Sequence, residues 1–173
     1  MLIMWQEKIW LVDENDNPIK LITRTSDRRN TKPGDIWRIS AILVTDDRGR
    51  ILIAQRHPSK HYHGGKWGPS AAGTVESHET PLENAQKELE EEVGIKLNLE
   101  DFKLINKKFY WSSGGTGRII SIFLARVDSE PKLKLEEDEV SDAKWVDIDE
   151  LKEDIKLNPD EYVPATAELL EMI

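Results

Sequence analysis

Gly73-Thr74-Val75-Glu76-Ser77-His78-Glu79-Thr80-Pro81-Leu82-Glu83-Asn84-Ala85-Gln86-Lys87-Glu88-Leu89-Glu90-Glu91-Glu92-Val93-Gly94-Ile95 is the stretch around which the rest of the chain can be read. Its second half carries the punctuation of a helix over residues 81–93. Thr80 suits the N-cap, Pro81 the first helical position, Glu83 completes a capping box and Gly94 suits the stop. Winding at about 100° per residue sets Leu82, Ala85, Leu89 and Val93 on one stripe and Glu88, Glu91 and Glu92 on a neighbouring arc. One face therefore meets a core, and the adjoining face carries three carboxylates. Like charges at i and i+4 weaken an isolated helix by roughly 0.2–0.5 kcal/mol, and by more where the dielectric is low. Either solvent bathes an acidic face, or a hard divalent cation, Mg²⁺ or Mn²⁺, sits against the carboxylate oxygens with phosphate oxygens and water completing its shell.

Working outward, the 173 residues suit one domain with a substantial core. Charged residues make up 33% and the net charge is −9, which excludes a large basic footprint for duplex nucleic acid. A small phosphorylated ligand is compatible with that balance if basic residues converge locally. The absence of cysteine excludes a disulfide, a thiolate zinc site and a cysteine nucleophile. No apolar run approaches the roughly 20 residues that span a membrane, and the five apolar residues at the N-terminus meet an acid too soon for a signal peptide. A soluble cytoplasmic protein is the expectation. The oligomeric state stays open, a homodimer being one outcome.

Taken in order, residues 1–12 and 19–22 are strand-like around the turn formers of 13–18, predicting an N-terminal hairpin over 1–35. Residues 23–34, with Arg24, Arg28, Arg29 and Lys32, read as a basic loop, either solvated or facing phosphate. Residues 36–45 and 50–56 flank the Asp46-Asp47-Arg48-Gly49 turn and predict a second hairpin that carries Arg38 and Arg56. Residues 57–68 form a glycine-containing loop with Lys60, the spaced pair His61 and His63, and Trp67, which is either a core anchor or a stacking platform. Beyond the signature helix, 102–112 and 118–127 predict a hairpin able to line a pocket with Phe109, Trp111 and Arg118. Residues 135–140 are acidic. Then come a short strand over 143–146, a helix capped by Asp147 or Asp149 and running through Ile155, and a terminal helix over 156–173 interrupted at Pro164. Hairpins with intervening helices predict an α/β (α+β) sandwich.

The 73–95 stretch resembles the signature of the Nudix hydrolases: Gly, five residues, Glu, seven residues, then Arg-Glu-apolar-x-Glu-Glu-x-Gly-apolar. Gly73, Glu79, Glu88, Leu89, Glu91, Glu92, Gly94 and Ile95 match at fixed spacing, and Lys87 stands where the family has Arg. The resemblance implies that Lys87 orients Glu79, as a point charge rather than a planar fork. Outside the signature, Asp13-Glu14-Asn15, the run from Gln55 to Lys60, Gly65-Lys66-Trp67, and Asp138-Glu139-Val140 with Trp145 are similar to the branch related to isopentenyl-diphosphate isomerase. The implied fold is an α/β/α sandwich with a mixed sheet and a loop-helix-loop motif, its core over 36–155.

For chemistry, the resemblance implies Mg²⁺-dependent (or Mn²⁺-dependent) hydrolysis of a diphosphate linkage in a nucleoside diphosphate derivative or related organic pyrophosphate. Glu88, Glu91 and Glu92 are the expected cation ligands, with the Ala72 carbonyl as a further one and Gly73, Glu79, Lys87 and Gly94 as support. The expected base is Glu139, then Glu137. Arg38, Arg56, Lys60 and Arg118 are candidates for neutralising phosphate, with Trp67 as a further substrate contact. The alternatives are a non-catalytic domain that binds a phosphorylated ligand, and the isomerase itself. The isomerase pattern has Cys before the signature Gly, His after it and His on an earlier strand. Ala72, Thr74 and Arg38 occupy those positions here, so the protonating thiol is absent.

Overall fold

The computed structural model describes residues 6–25 and 30–173, so the expectations for residues 1–5, Arg28 and Arg29 lie outside the described residues. The strands are β1 (Gln6–Val12), β2 (Pro18–Thr25), β3 (Ile36–Asp46), β4 (Arg50–Arg56), β5 (Trp67–Gly68), β6 (Ala71–Thr74), β7 (Phe102–Trp111), β8 (Gly117–Val127) and β9 (Val140–Asp147). The helices are α1 (Pro81–Val93), α2 (Ile148–Leu157) and α3 (Thr166–Leu170). Among the described residues no helix is long and apolar enough to cross a membrane.

Strand β3 is the spine of a seven-stranded mixed sheet. It runs parallel to β8 from Ile36 to Asp46, and β8 in turn pairs antiparallel with β7. Alternation along β3 sends Ile42 and Val44 to one face, where Ala85, Leu89 and Val93 of α1 cover them, and Leu43 to the other, against Leu151 and Ile155 of α2 and Leu169 and Leu170 of α3. Two helical layers therefore enclose the sheet, as expected. The local signals of α1 all act: the Thr80 and Glu83 capping box closes its start, and Gly94 ends it at φ 78°. Asp147 caps α2 by accepting from the N–H groups of Asp149 and Glu150.

Three sequence expectations need correction. Residues 23–25 belong to strand β2 rather than to a basic loop, and Arg24 is buried there, donating to Glu7 at 2.5 Å and to Thr74 Oγ1 at 3.0 Å. The terminal helix is absent as a continuous element: α2 extends to Leu157, a 3-10 turn covers Pro159–Glu161, and α3 has five residues. Pro159 and Pro164 account for this, since each lacks an N–H and pushes its predecessor out of helical geometry.

The third correction concerns the second hairpin. β3 and β4 pair only at Val44↔Leu52 and Thr45↔Ile51; further along, β3 pairs with β6 (Ile39↔Thr74 to Ile42↔Ala71) while β4 turns to β9. The sheet forks there. Ser70, fully buried, sits in the crotch: its N–H donates to the Ile42 carbonyl, and its hydroxyl donates to the Leu52 carbonyl at 2.6 Å and accepts from the Val44 N–H at 2.8 Å. One hydroxyl thus satisfies two backbone groups that the split would otherwise strand. Ser70→Ala is expected to cost about 2 kcal/mol or more, because both groups lose their partner in a dry site, read as a lower urea midpoint with an unchanged slope.

Candidate active site

Past Ser70, the gap between β4 and β6 opens into a cleft of about 150 Å³. Its body is apolar, with Ile39, Ala41, Ile120, Val163 and Leu169 among the lining, while Arg56, His63, Glu92 and Glu139 supply charge or polarity. The placement follows from the fork: β4 delivers Arg56, β6 delivers Ala72, α1 delivers Glu92, the turn before β9 delivers Glu139, and the segment around α3 forms a wall.

Helix α1 lies so close to β6 that a Cβ built on Gly73 would come within 2.1 Å of the Glu88 carboxyl carbon. Only a residue without a side chain lets Glu88 lie there. Asn84 Nδ2 donates to Glu88 at 3.2 Å and to Glu79 at 2.8 Å, and Glu92 accepts from the Ala72 N–H at 3.4 Å. Lys87 Nζ donates to Glu79 at 3.1 Å and to Glu76 at 3.0 Å, and lies 3.9 Å from Glu88. Lys87 thus contacts Glu79 as a point charge, and its second partner, Glu76, carries no signal of its own in the sequence.

Burial comes first in the electrostatics of this cluster. Withdrawal from water, opposed by Lys87 and reinforced by Glu91, raises the Glu88 carboxyl to about 7. Burial followed by repulsion from Glu88 and Glu139 pushes Glu92 well above the usual carboxylate range. For Lys87, burial acts to lower its pKa, but the hydrogen bonds to Glu76 and Glu79 outweigh it and hold the ammonium charged. Glu91 is exposed on the next turn. Among the described residues no three His, Asp or Glu side chains converge into a ready-made cation cage. The donor chemistry nevertheless fits a hard divalent ion: oxygen-only carboxylates, two of them withdrawn from water by burial.

The remaining candidates separate. Glu139 lines the cleft, pairs with Lys60, and its carbonyl accepts from the His57 N–H at 2.8 Å. Glu137 is exposed at the start of the same turn and is not part of the lining. Arg56 lines the cleft and donates to the Tyr62 carbonyl at 3.0 Å. Arg38 is held instead by Asp16, at 2.6 Å, at the tip of the first hairpin, where Asp16 also pairs with Lys107. Arg118 is buried, with its guanidinium 3.3 Å from the centre of the Trp37 ring. Trp67 pairs with Gln55, accepts from the Val163 N–H at 2.7 Å and carries Lys144 over its ring, so it anchors the C-terminal segment. The structure therefore sets Arg56, Glu92 and Glu139 in the cleft lining, with Lys60 paired to Glu139 and Glu88 against Gly73 beside the lining residue Ala72, and leaves Arg38, Arg118, Trp67 and Glu137 outside that lining. Sequence reading missed Ser70 and Glu76, small or common residues whose roles arise only from distant partners.

Compared with known proteins, residues 35–168 match the family model described as the NUDIX domain. An isopentenyl-diphosphate Delta-isomerase 2 of Aromatoleum aromaticum is 27% identical over 158 residues, covering 91% of this chain and 81% of that protein. A prenyl-diphosphate phosphatase of Methanosarcina mazei is 30% identical over 137 residues, covering 77% of this chain and 76% of that one. A Deinococcus radiodurans protein of known crystal structure superposes with a TM-score of 0.77 at 21% identity, over 95% of this chain and 98% of its own.

A carboxyl raised in the folded state stabilises the fold below its unfolded pKa and loses that contribution as pH rises through its folded value, here from about 4.5 to about 7. Glu88→Gln in the presence of chelator is therefore expected to leave thermal stability nearly unchanged at pH 5 and to raise it at pH 8, by up to about 3 kcal/mol. Equal effects at both pH values would contradict the buried, raised carboxyl.

Proposed function

The chain belongs to the NUDIX family of hydrolases, and from that premise we propose that it hydrolyses the diphosphate linkage of a nucleoside diphosphate derivative or related organic pyrophosphate with Mg²⁺ or Mn²⁺. The observation that carries the proposal is the pair of carboxylates, Glu88 and Glu92, drawn down to the backbone of β6, with Glu92 at the apolar cleft. Glu88, Glu91 and Glu92 would hold the cation, with the Ala72 carbonyl as a further oxygen. When bound, such a cation supplies positive charge against phosphate oxygens and lowers the pKa of water.

The residues divide the rest of the work. Glu139 accepts a proton from the attacking water, and Lys60, paired with it, holds its carboxylate in place. Arg56, at the same cleft, offsets phosphate charge. Lys87 and Asn84 fix Glu79 and Glu88, which keeps the helix carboxylates in register with β6. Water adds to one phosphorus as the bridging oxygen leaves on the other, giving two phosphorylated products, one of them inorganic phosphate when the substrate is a simple alkyl diphosphate. The similarity to a prenyl-diphosphate phosphatase supports an organic diphosphate as readily as a nucleotide. Alkene isomerisation is the weaker reading despite the isomerase relative, because proton delivery needs a strong donor and the chain, free of cysteine, has Ala72 where that pattern has its thiol.

The test is turnover by the purified protein, read by chromatographic separation of the two phosphorylated products, with nucleoside triphosphates, nucleotide sugars, dinucleoside polyphosphates and alkyl diphosphates as substrates, each with Mg²⁺ and with chelator. Metal-dependent turnover of one class is expected. Glu92→Gln should lower kcat by about 10²-fold or more without lowering Tm, and Glu139→Gln by about 10²–10³-fold, while Glu137→Gln stays near wild type. Full turnover in Glu92→Gln would remove the assigned site, and ligand binding without turnover in the wild type would favour the non-catalytic alternative.

A further inference from the structure

One buried amide joins the loop before α1 to the helix carboxylates. Asn84 lies on α1 at 0% exposure, one turn before Glu88. Its Nδ2 is shared among the Thr74 carbonyl at 3.0 Å, Glu79 Oε1 at 2.8 Å and Glu88 Oε1 at 3.2 Å. Its Oδ1 is buried with no hydrogen-bond partner among the described residues. Turning the amide over would set Oδ1 against three acceptors, so the surroundings fix its orientation and leave that oxygen stranded. Asparagine is also a poorer helix former than alanine or leucine. The position therefore keeps an amide against both the stranded oxygen and the helix preference, and the group it gains is a donor that faces two carboxylates.

Lys87 does not supply that donor to Glu88. Its ammonium donates to Glu76 and Glu79, and at 3.9 Å from Glu88 Oε1 it lies outside hydrogen-bond range. We propose that Asn84 is the positioning residue for Glu88 as a cation ligand: its neutral amide holds Oε1 and leaves Oε2 to take the metal. The proposal rests on the diphosphate-hydrolase reading and assigns how its cation site is kept in place. A neutral donor suits the task, because a second ammonium at that distance would repel the incoming ion and cancel the charge that attracts it. The labour divides by charge. Lys87 neutralises Glu76 and Glu79, which stand outside the expected ligand set, and Asn84 directs Glu88 without neutralising it. The bond from Asn84 to the Thr74 carbonyl ties the amide to the end of β6, so Glu88 is held relative to the strand that carries Ala72, the further expected ligand. A hydrogen-bonded outer residue of this kind orients a ligand that it never replaces.

The experiment is Mn²⁺ titration of the chelator-treated protein, read by loss of the free-ion electron paramagnetic resonance signal and needing no substrate. It compares wild type, Asn84→Ala, Glu88→Gln and the double variant, each first checked by Tm, with Asn84→Leu in place of Asn84→Ala if the alanine protein does not fold. Each single change is expected to raise the Kd for Mn²⁺ by about 10-fold or more. The double variant should bind no more weakly than Glu88→Gln alone, because Asn84 acts through Glu88. An Asn84→Ala protein that binds Mn²⁺ as wild type does, whatever its Tm, would overturn the proposal, as would a weakening that adds in full to that of Glu88→Gln. The expected coupling without turnover of any diphosphate would leave Asn84 in its role and remove the hydrolase reading. A Kd untouched by Glu88→Gln would remove the cation site, and the role of Asn84 with it.

Discussion

The closeness of helix α1 to strand β6 is the constraint on which the site depends. Ala71, Ala72 and Gly73 present almost no side chain to the helix, and at Gly73 a single added carbon would collide with the Glu88 carboxyl. That approach draws acidic groups out of water, which raises Glu88 to about 7 and pushes Glu92 well above the usual carboxylate range. The unfavourable electrostatics are local and specific, and the stripe of Ala85, Leu89 and Val93 against Ile42 and Val44 holds the helix down regardless. Carboxyls held in an unfavourable environment by the packing of the rest of their helix are candidates for function.

The same region is tied to parts of the chain far away in sequence. Lys87 bridges Glu76 and Glu79 within the signature loop, while Arg24 reaches from the N-terminal hairpin to Thr74 and the Ser77 N–H donates to the Lys8 carbonyl at 2.7 Å. The hairpin is thus a brace for the loop that precedes α1. At its far tip, Asp16 gathers Arg38 and Lys107 from two strands. Basic residues that look available for phosphate are in this way consumed by the scaffold, and Arg56 is left at the cleft, with Lys60 paired to Glu139 of its lining.

What could be read from sequence follows from the range of the forces involved. Helix α1 was legible to the residue, because Thr80, Pro81, Glu83 and Gly94 act within one turn of themselves. The acidic triplet was legible for the same reason, as was the NUDIX resemblance it carries. The fork was not: 36–45 and 50–56 look like a plain hairpin, and only the intrusion of β6, with Ser70 in the crotch, parts them. Arg38 and Arg118 were equally illegible as structural residues, since their partners Asp16 and Trp37 are chosen by tertiary packing. Glu139 and Glu137 are two residues apart in one acidic run, and only the turn into β9, where the His57 N–H donates to the Glu139 carbonyl, separates the one that lines the cleft from the one that does not.

The central claim is that the carboxylates of α1 hold the cation beside the β4–β6 cleft. Anomalous diffraction from crystals soaked in Mn²⁺ addresses it without any assumption about substrate. A Mn²⁺ peak is expected within about 2.0–2.4 Å of carboxylate oxygens from at least two of Glu88, Glu91 and Glu92, with Glu88 swung off Lys87 to reach it. A peak seated elsewhere, or fully ordered crystals with no Mn²⁺ bound at α1, would contradict it.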